Sequence, residues 1–307
     1  MQKIQYNRLK IMTSGSFASR LGGTDAQDVL REILENHEQL LEEKDSSVCK
    51  NSRETAVTIV TVHQSVRVCV KEYRWRGLLH ALKSLGRPSH GLRTFLNGQR
   101  LNDYGIRVAG PIALIQKRFL GLPHTEWVVM EVVPRAMELD RYILKKKADW
   151  SSPDQRRAFV REVGEFVGLL HREGIFHADL KTCNILISEP DETEKPCSSS
   201  RDVAGEDHSV DSEPLIFPID YDDVTFRRRI PIKKRAKNLA QLFLSTPLVV
   251  TLTDRLRFLD AYCSASDISR AQRRALAARV LNKALHRRIL YVSLSGDVEE
   301  SWDVPGR

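Results

Sequence analysis

The sequence has few cysteines, and none of them forms part of a recognisable metal or disulfide motif. The five cysteines are scattered along the chain and include no C-x-x-C pair: Cys49, Cys69, Cys183, Cys197 and Cys263. This spacing argues against a zinc site and against a disulfide framework, and it fits a reducing compartment.

Long apolar runs are also lacking. The first residues, MQKIQYNRLKIM, contain no hydrophobic core of a secretory signal. The most apolar late stretch, LAQLFLSTPLVVTL, is interrupted by Ser245, Thr246 and Pro247, and it is too short to cross a bilayer. The sequence therefore predicts a cytoplasmic protein.

Charge, in contrast, is abundant and unevenly placed. The formal net charge is +8, and residues 227–237 carry seven basic side chains and no acid. Residues 270–288 are likewise basic without an acid. Such patches attract phosphates on nucleic acids, membrane surfaces or phosphorylated substrates, and the alternative for each is a solvated helix face.

The periodicity of apolar residues predicts an α+β fold with a sheet-rich part followed by a helical part. Residues 25–44 have helical spacing, whereas TAVTIVTV and SVRVCVKEY alternate as the two strands of a hairpin. A long helix is expected from Ser152 and Pro153 to Gly174, and three more helices follow residue 236. The natural cleft of such a fold lies between its two lobes.

The domain prediction divides the chain into three parts. Residues 1–44 form an N-terminal helical extension of open role, residues 45–133 the small lobe, and residues 134–307 the helical lobe. Within the helical lobe, residues 189–213 are rich in Ser, Asp, Glu and Pro and poor in large apolar residues. This composition is typical of a disordered insertion.

Five polar residues occur in the order that phosphoryl transfer from ATP requires. Lys71 ends the strand VRVCVK and could bind phosphates. In HADLKTCN, Asp179 could be the base, Lys181 could neutralise the transferring phosphate, and Asn184 could ligate Mg²⁺. Asp220 follows an apolar strand and could bridge Mg²⁺ to the phosphates. An isolated H-x-D is more often a capped turn, but several such pieces in order are a stronger signal.

This pattern resembles the protein-kinase-like superfamily. HADLKTCN is similar to its H-x-D-L-K-x-x-N catalytic loop, and IDYD to its D-F-G. Within the superfamily, VCVKEYRWRGLLHALKS, LNDYGIRVAGPIAL, GIFHADLKTCNIL and LIFPIDYDDV resemble bacterial lipopolysaccharide core kinases, which phosphorylate Kdo or heptose. The resemblance covers roughly residues 45–263.

The resemblance implies a two-lobed kinase-like fold, ATP and Mg²⁺ as cofactors, and a sugar hydroxyl of the lipopolysaccharide inner core as acceptor. By position it makes Asp179 the catalytic base and Asn184 and Asp220 the metal ligands, with Lys71 on the phosphates. It also places a hinge segment beside adenine, which contributes Met130, Glu131 and Val133.

Three departures from the wider kinase pattern bear on this assignment. No Gly-rich loop precedes Lys71, and the helix expected to supply its acidic partner has Thr94 or Asn97 in that place. Asp222 replaces the glycine of D-F-G, as a second metal-site carboxylate or as an exposed acid, with the exposed acid favoured. A catalytically silent kinase-like binding module therefore stays an alternative.

The segment after Asp220 indicates the acceptor class. Few residues separate Asp220 from the next helix near Lys237, so the long activation segment that forms the peptide platform of most protein kinases has no counterpart. This favours an anionic glycolipid, presented at the cytoplasmic face of the inner membrane and attracted by residues 227–237. WRGLLHALKSLG could touch that surface or pack as a helix of the small lobe.

Two alternatives concern other partners. A kinase acting on another small molecule or on a protein Ser/Thr has the same core residues. Nucleic acid is not an expected partner, because the basic residues do not interleave with aromatic ones.

Overall fold

The computed structural model of the protein describes residues 2–6, 9–14, 26–63, 65–75, 77, 86–119, 122–147, 150, 152–189, 214–286, 289–292 and 298–301. The chain divides into two compact units. The first unit comprises Met1–Val133 together with Ile219–Val224, and the second comprises Pro134–Pro218 and Thr225–Arg307.

The first unit is built on an antiparallel sheet, which has seven strands in the part of the chain that is described. The strands are β1 Gln2–Tyr6, β2 Leu9–Thr13, β3 Val48–Asn51, β4 Thr55–Val62, β5 Val66–Tyr73, β6 Pro111–Phe119 and β7 Leu122–Glu131. Their order across the sheet is β1-β2-β6-β7-β5-β4-β3. Strands β4 and β5 form the predicted hairpin, in which every second residue of β4 is buried because successive side chains point to opposite faces.

Two helices accompany this sheet. Helix α1 (Ala26–Glu43) buries Val29, Leu30 and Ile33 in one core cluster with the strands. Helix α2 (His90–Asp103) is followed by Gly105, whose φ of +73° suits glycine. The predicted helices in these two regions are confirmed.

Residues 1–44, predicted as a helical extension, also contain β1 and β2. The two strands pair with each other, and β2 pairs with β6, so the segment contributes two strands to the sheet of the first unit. The sequence signal is weak because QKIQY and LKIMT are short and half polar, so neither shows a clear alternation.

The second unit is mainly helical. Its helices are α3 Leu139–Lys146, α4 Pro153–Arg172, α5 Ile232–Ser245, α6 Leu252–Ala265 and α7 Arg270–Leu285. Helix α4 begins where predicted, since the Ser152 side chain accepts a hydrogen bond from the Gln155 N–H and Pro153 occupies the first helical position. Gly174 closes it with φ +73°, and a Cβ there would lie 1.7 Å from the Arg227 carbonyl oxygen.

Short strands frame the loop that carries HADLKTCN. Strand β9 (Ile175–His177) precedes the loop and pairs with β12 (Val224–Phe226). Strand β10 (Ile185–Ser188) follows it and lies between β11 (Leu215–Pro218) and β8 (Ala136–Glu138). Strands β13 (Ile289–Val292) and β14 (Val298–Ser301) form a separate hairpin.

The predicted α+β class, with a sheet-rich part before a helical part, is confirmed, as are the three late helices. The predicted disordered insertion, residues 189–213, lies outside the described residues except for Glu189, and so do most of residues 76–85. Among the helices that are described, none combines the length and the apolar character needed to span a bilayer.

Candidate active site

Lys71 lies on β5 of the first unit, between Val57 of β4 and Val128 of β7. Its ammonium nitrogen donates a hydrogen bond to the Asp220 carboxylate and lies 5.0 Å from the centre of the Tyr73 ring. Burial works to lower the pKa of Lys71, but Tyr73 and Asp220 outweigh it and hold that pKa above its ordinary value. Lys71 is therefore a charged group in a largely desolvated place.

Asp220 occupies a constrained turn. Its φ of +58° lies in the left-handed region, which is uncommon for a residue with a side chain and often marks a functional site. Asn97 of α2 holds the turn, because its side-chain nitrogen lies 2.9 Å from the Tyr221 carbonyl oxygen and 3.2 Å from those of Asp222 and Val224. The Tyr221 hydroxyl donates to a further carbonyl of the same unit, 2.7 Å away.

Asp222 is turned toward α2. Its carboxylate lies 2.7 Å from the His90 ring nitrogen, and its side chain is 13% exposed. Burial works to raise the pKa of Asp222, but the hydrogen bond with His90 and the charges of Lys71, His90 and Arg93 hold it below its usual value. The interpretation of Asp222 as an exposed acid is wrong, because α2 covers it.

The two residues of α2 expected in place of the acidic partner of Lys71 contact other groups. Thr94 contacts the Tyr73 hydroxyl at 2.7 Å, and Asn97 is directed to the turn after Asp220. The carboxylate that meets the Lys71 ammonium comes from that turn.

Of the three residues expected beside adenine, Met130 and Glu131 end β7, and Val133 lies two residues beyond it. Met130 is buried and pairs with Cys69 across β5 and β7. Glu131 exchanges two hydrogen bonds with Gly110, donating its N–H at 2.9 Å and accepting at its carboxylate at 3.0 Å. Val133 ends this part of the first unit.

In the second unit, one loop brings Asp179, Lys181 and Asn184 together. The Lys181 ammonium lies 3.2 Å from Asp179 Oδ2, and Asn184 Nδ2 lies 2.8 Å from the Asp179 carbonyl oxygen and 3.4 Å from Oδ2. Because the Asn184 nitrogen faces Asp179, its oxygen faces away, with only a weak 3.9 Å contact from the Cys183 thiol. An amide oxygen is a ligand type that Mg²⁺ accepts, so Asn184 fits its predicted role.

His177 is a structural residue of the same loop. Its side chain is buried, and its Nδ1 accepts a hydrogen bond from the Asp179 N–H at 3.3 Å.

Helix α5 holds this loop through residues that the sequence did not reveal as functional. Asn238 donates to the His177 carbonyl oxygen at 2.6 Å, Gln241 donates to that of Ala178 at 3.1 Å, and the Ser245 hydroxyl accepts from the Thr182 N–H at 3.0 Å. A signal was available: these three polar residues recur every three to four positions in an otherwise apolar stretch, which puts them on one face.

The predicted site residues thus form two groups. Lys71, Asp220 and the hinge segment belong to the first unit, and Asp179, Lys181 and Asn184 belong to the second. Within the described ranges, no cluster of three or more His, Cys, Asp or Glu side chains is arranged to hold a metal ion.

The sequence matches the lipopolysaccharide kinase (Kdo/WaaP) family over residues 39–262, which is more than half of the chain. The chain belongs to this family. The predicted resemblance to lipopolysaccharide core kinases is therefore confirmed.

Two reviewed proteins are similar to it. The lipopolysaccharide core heptose(I) kinase WaaP of Escherichia coli is 27% identical over 194 residues, covering 61% of this chain and 66% of the relative. The protein of the same name from Pseudomonas aeruginosa is 27% identical over 169 residues, covering 53% of this chain and 56% of the relative. The matches span less than two thirds of either relative.

A solved structure described as WaaP in complex with acyl carrier protein shares the fold. Its TM-score is 0.58 at 21% sequence identity, and the superposition covers 89% of this chain and 97% of that one. At this identity the likeness concerns the fold, and it agrees with the predicted kinase-like architecture.

Proposed function

We propose that the protein transfers the γ-phosphate of ATP to a sugar hydroxyl of the lipopolysaccharide inner core, and that the sugar is heptose in preference to Kdo. The observation that carries the proposal is the loop in which Asp179, Lys181 and Asn184 contact one another within a chain of this family. Heptose is favoured because both reviewed relatives are named heptose(I) kinases.

Asp179 would serve as the base. Its carboxylate would orient the acceptor hydroxyl and take its proton while the hydroxyl oxygen bonds to the γ-phosphorus and ADP leaves. Lys181, 3.2 Å from that carboxylate, would offset negative charge on the phosphate as it moves.

Asn184 and Asp220 would hold Mg²⁺ through an amide and a carboxylate oxygen, the donor types that this ion prefers. The ion would neutralise charge on the β- and γ-phosphates. Lys71 would contact the phosphates, and Met130, Glu131 and Val133 would border adenine. Because Lys71 and Asp220 are already joined, the ammonium and the metal-binding carboxylate would be presented together.

Two alternatives stay in view. A kinase acting on another small molecule or on a protein Ser/Thr would use the same residues, and a silent module would bind without transfer. The contacts among Asp179, Lys181 and Asn184 weigh against the silent module, because a binding module without catalytic activity would not require them.

The test is incubation with labelled ATP, Mg²⁺ and truncated lipopolysaccharides of defined core length. One acceptor should end in Kdo, the next should add a single heptose, and a third should carry the full inner core. We expect label to appear only when the first heptose is present.

Other outcomes of this experiment point elsewhere. Label on the Kdo-only acceptor makes the protein a Kdo kinase. Label on protein alone indicates a protein kinase, and failure of Mg-ATP to bind in calorimetry indicates the silent module.

A partner can be proposed from a cavity in the second unit. The cavity has a volume of about 240 Å³ and is lined mainly by apolar side chains of α3 to α7, including Val163, Leu242 and Phe258, and by Trp150 between α3 and α4, with Arg156 and Arg255 among the polar lining residues. The solved WaaP structure contains an acyl carrier protein. We propose that this cavity lets the present chain bind an acylated carrier protein, with the acyl chain inside.

Co-elution from a sizing column tests this partner. We expect the acylated carrier protein to co-elute with the chain and the unacylated one to elute alone. Ala277→Trp, which places a large side chain in the cavity, should abolish the complex. Equal behaviour of acylated and unacylated carriers would exclude a role for the cavity.

A further inference from the structure

A chain of four hydrogen bonds runs through the second unit and ends at Asp179. The Tyr262 hydroxyl lies 2.9 Å from His171 Nδ1, and His171 Nε2 lies 3.0 Å from Asn238 Oδ1. Asn238 Nδ2 lies 2.9 Å from Gln241 Oε1, and Gln241 Nε2 lies 3.2 Å from Asp179 Oδ1. The four residues before Asp179 are between 0% and 8% exposed, so the chain is shielded from water.

Backbone carbonyls fix the orientation of both amides. The Asn238 atom that lies 2.6 Å from the His177 carbonyl oxygen must be nitrogen, because a carbonyl only accepts. The Gln241 atom 3.1 Å from the Ala178 carbonyl oxygen must be nitrogen for the same reason. The oxygen of each amide is thereby turned toward the preceding member of the chain.

This orientation determines the tautomer of His171. Since the Asn238 oxygen faces Nε2, that ring nitrogen must carry the proton, and Nδ1 must accept from the Tyr262 hydroxyl. Burial lowers the pKa of His171 to about 4, which keeps the ring neutral near neutral pH. All four hydrogen bonds therefore donate in one direction, toward the carboxylate.

Both oxygens of Asp179 are engaged. Gln241 donates to Oδ1, while Lys181 and Asn184 contact Oδ2. Aligned hydrogen bonds polarise one another, so the N–H that reaches Oδ1 is a stronger donor than an isolated amide. Loss of this donor would free the carboxylate to rotate about its Cβ–Cγ bond.

We propose that Gln241 is a positioning residue for phosphoryl transfer. It holds the Asp179 carboxylate in the orientation that accepts the hydroxyl proton, and Asn238 and His171 in turn hold the Gln241 amide in place. The inference rests on the proposed function. Gln241 differs from Asn238 and Ser245 in its contacts with the loop. Those two residues contact the loop backbone, whereas Gln241 also contacts the Asp179 side chain.

The first test is steady-state kinetics of Gln241→Leu, which keeps a similar volume and removes the three hydrogen bonds of the side chain, with Asn238, the Ala178 carbonyl oxygen and Asp179. We expect kcat to fall about 10- to 100-fold, as misplacement of a catalytic group by about 1 Å can do, with the KM for ATP changed by less than about twofold. Thr246→Val, which removes a hydroxyl from the end of the same helix segment, is the control and should keep the wild-type kcat.

An unchanged kcat in Gln241→Leu, while the wild type is active, overturns the positioning role without affecting the proposed function. So does a fall that is matched by a lower folded fraction or by weaker ATP binding, since either would make Gln241 a structural residue. An inactive wild type with every acceptor instead overturns the proposed function, and with it the role assigned to Gln241.

The second test needs no ATP and no acceptor. Histidine-selective ¹⁵N NMR of the whole chain at pH 7 should show His171 with its proton on Nε2 and none on Nδ1. In Gln241→Leu the Nε2–H signal should shift, because its hydrogen-bonded chain then ends at Asn238. A proton on Nδ1 in the wild type reverses the chain and overturns the inference, whether or not the variant folds.

Discussion

Lys71 and Asp220 are joined directly, because the Lys71 ammonium donates a hydrogen bond to the Asp220 carboxylate. The Lys71 side chain is 13% exposed and that of Asp220 is 42% exposed, so the ammonium is the more desolvated partner. The carboxylate that contacts the lysine therefore comes from the turn at Asp220, and α2 contributes Asn97 to that turn. The proposed phosphate contact and one of the proposed metal ligands are thus joined within the first unit.

Asp220→Ala should abolish phosphate transfer while the protein stays folded. The change removes a proposed metal ligand and the partner of Lys71, so both phosphate contacts are weakened at once. The measurement is label transfer from ATP to the heptose acceptor, with circular dichroism to check the fold. Asp103→Ala, at an exposed position at the end of α2, is the control and should transfer normally. Retained transfer in the Asp220 variant would remove this residue from the site.

Asp179→Asn should lower the transfer rate by about 10²- to 10⁴-fold, the usual contribution of a positioned base. Asparagine has nearly the same shape, so its neighbours Lys181 and Asn184 keep their places and the fold should persist. Single-turnover transfer with saturating acceptor measures the effect. Asp154→Asn is the matched control in the same unit, because that side chain is 85% exposed. A rate within about twofold of the wild type would mean that another group takes the proton.

The residues of the proposed catalytic loop could be recognised because they are adjacent in sequence. Asp179, Lys181 and Asn184 lie within six positions, and a strand with its terminal lysine is likewise a local pattern. The structure places the three loop residues within contact distance of one another, as a shared turn requires. Their catalytic roles stay predictions.

The residues that hold the site were not predictable, because they depend on pairings far apart in the chain. His90 contacts Asp222 across 132 positions, and Gln241 reaches Asp179 across 62. Asp222 was thought exposed because the sequence does not show that α2 packs over its turn. Strands β1 and β2 were missed for a related reason, since short half-polar segments become strands only through their partners in the sheet.

Asn97→Ala should destabilise the turn after Asp220. The side-chain nitrogen lies within 3.2 Å of three carbonyl oxygens, and their loss should lower the free energy of unfolding by about 1 to 3 kcal/mol. Transfer should also slow, because the left-handed conformation of Asp220 is no longer held. Urea denaturation and label transfer measure the two effects. Asn102→Ala, exposed on the same helix, should change neither quantity. Equal stability of the two variants would show that the turn does not depend on Asn97.

The buried His171 should make the protein less stable as the pH falls below neutrality. Burial, reinforced by the charge of Arg235, outweighs the hydrogen bond with Asn238 and lowers the pKa of His171 from 6.5 to about 4 in the folded protein. Between these two values the unfolded chain binds a proton that the folded chain does not, so stability is lost as the pH decreases through 6.5 toward 4. From pH 7 to pH 5 the loss from this residue should be about 2 kcal/mol.

His171→Gln isolates that contribution. The variant should be less stable than the wild type at pH 7, because it interrupts the chain of hydrogen bonds, but its stability should fall less steeply on going to pH 5. His63→Gln, at an exposed position, should keep the wild-type slope. The measurement is the free energy of unfolding in urea at half-unit pH intervals. Parallel curves for the wild type and His171→Gln would mean that His171 takes up its proton equally in the folded and the unfolded protein. The neutral ring, on which the direction of the hydrogen bonds toward Asp179 depends, would then be lost.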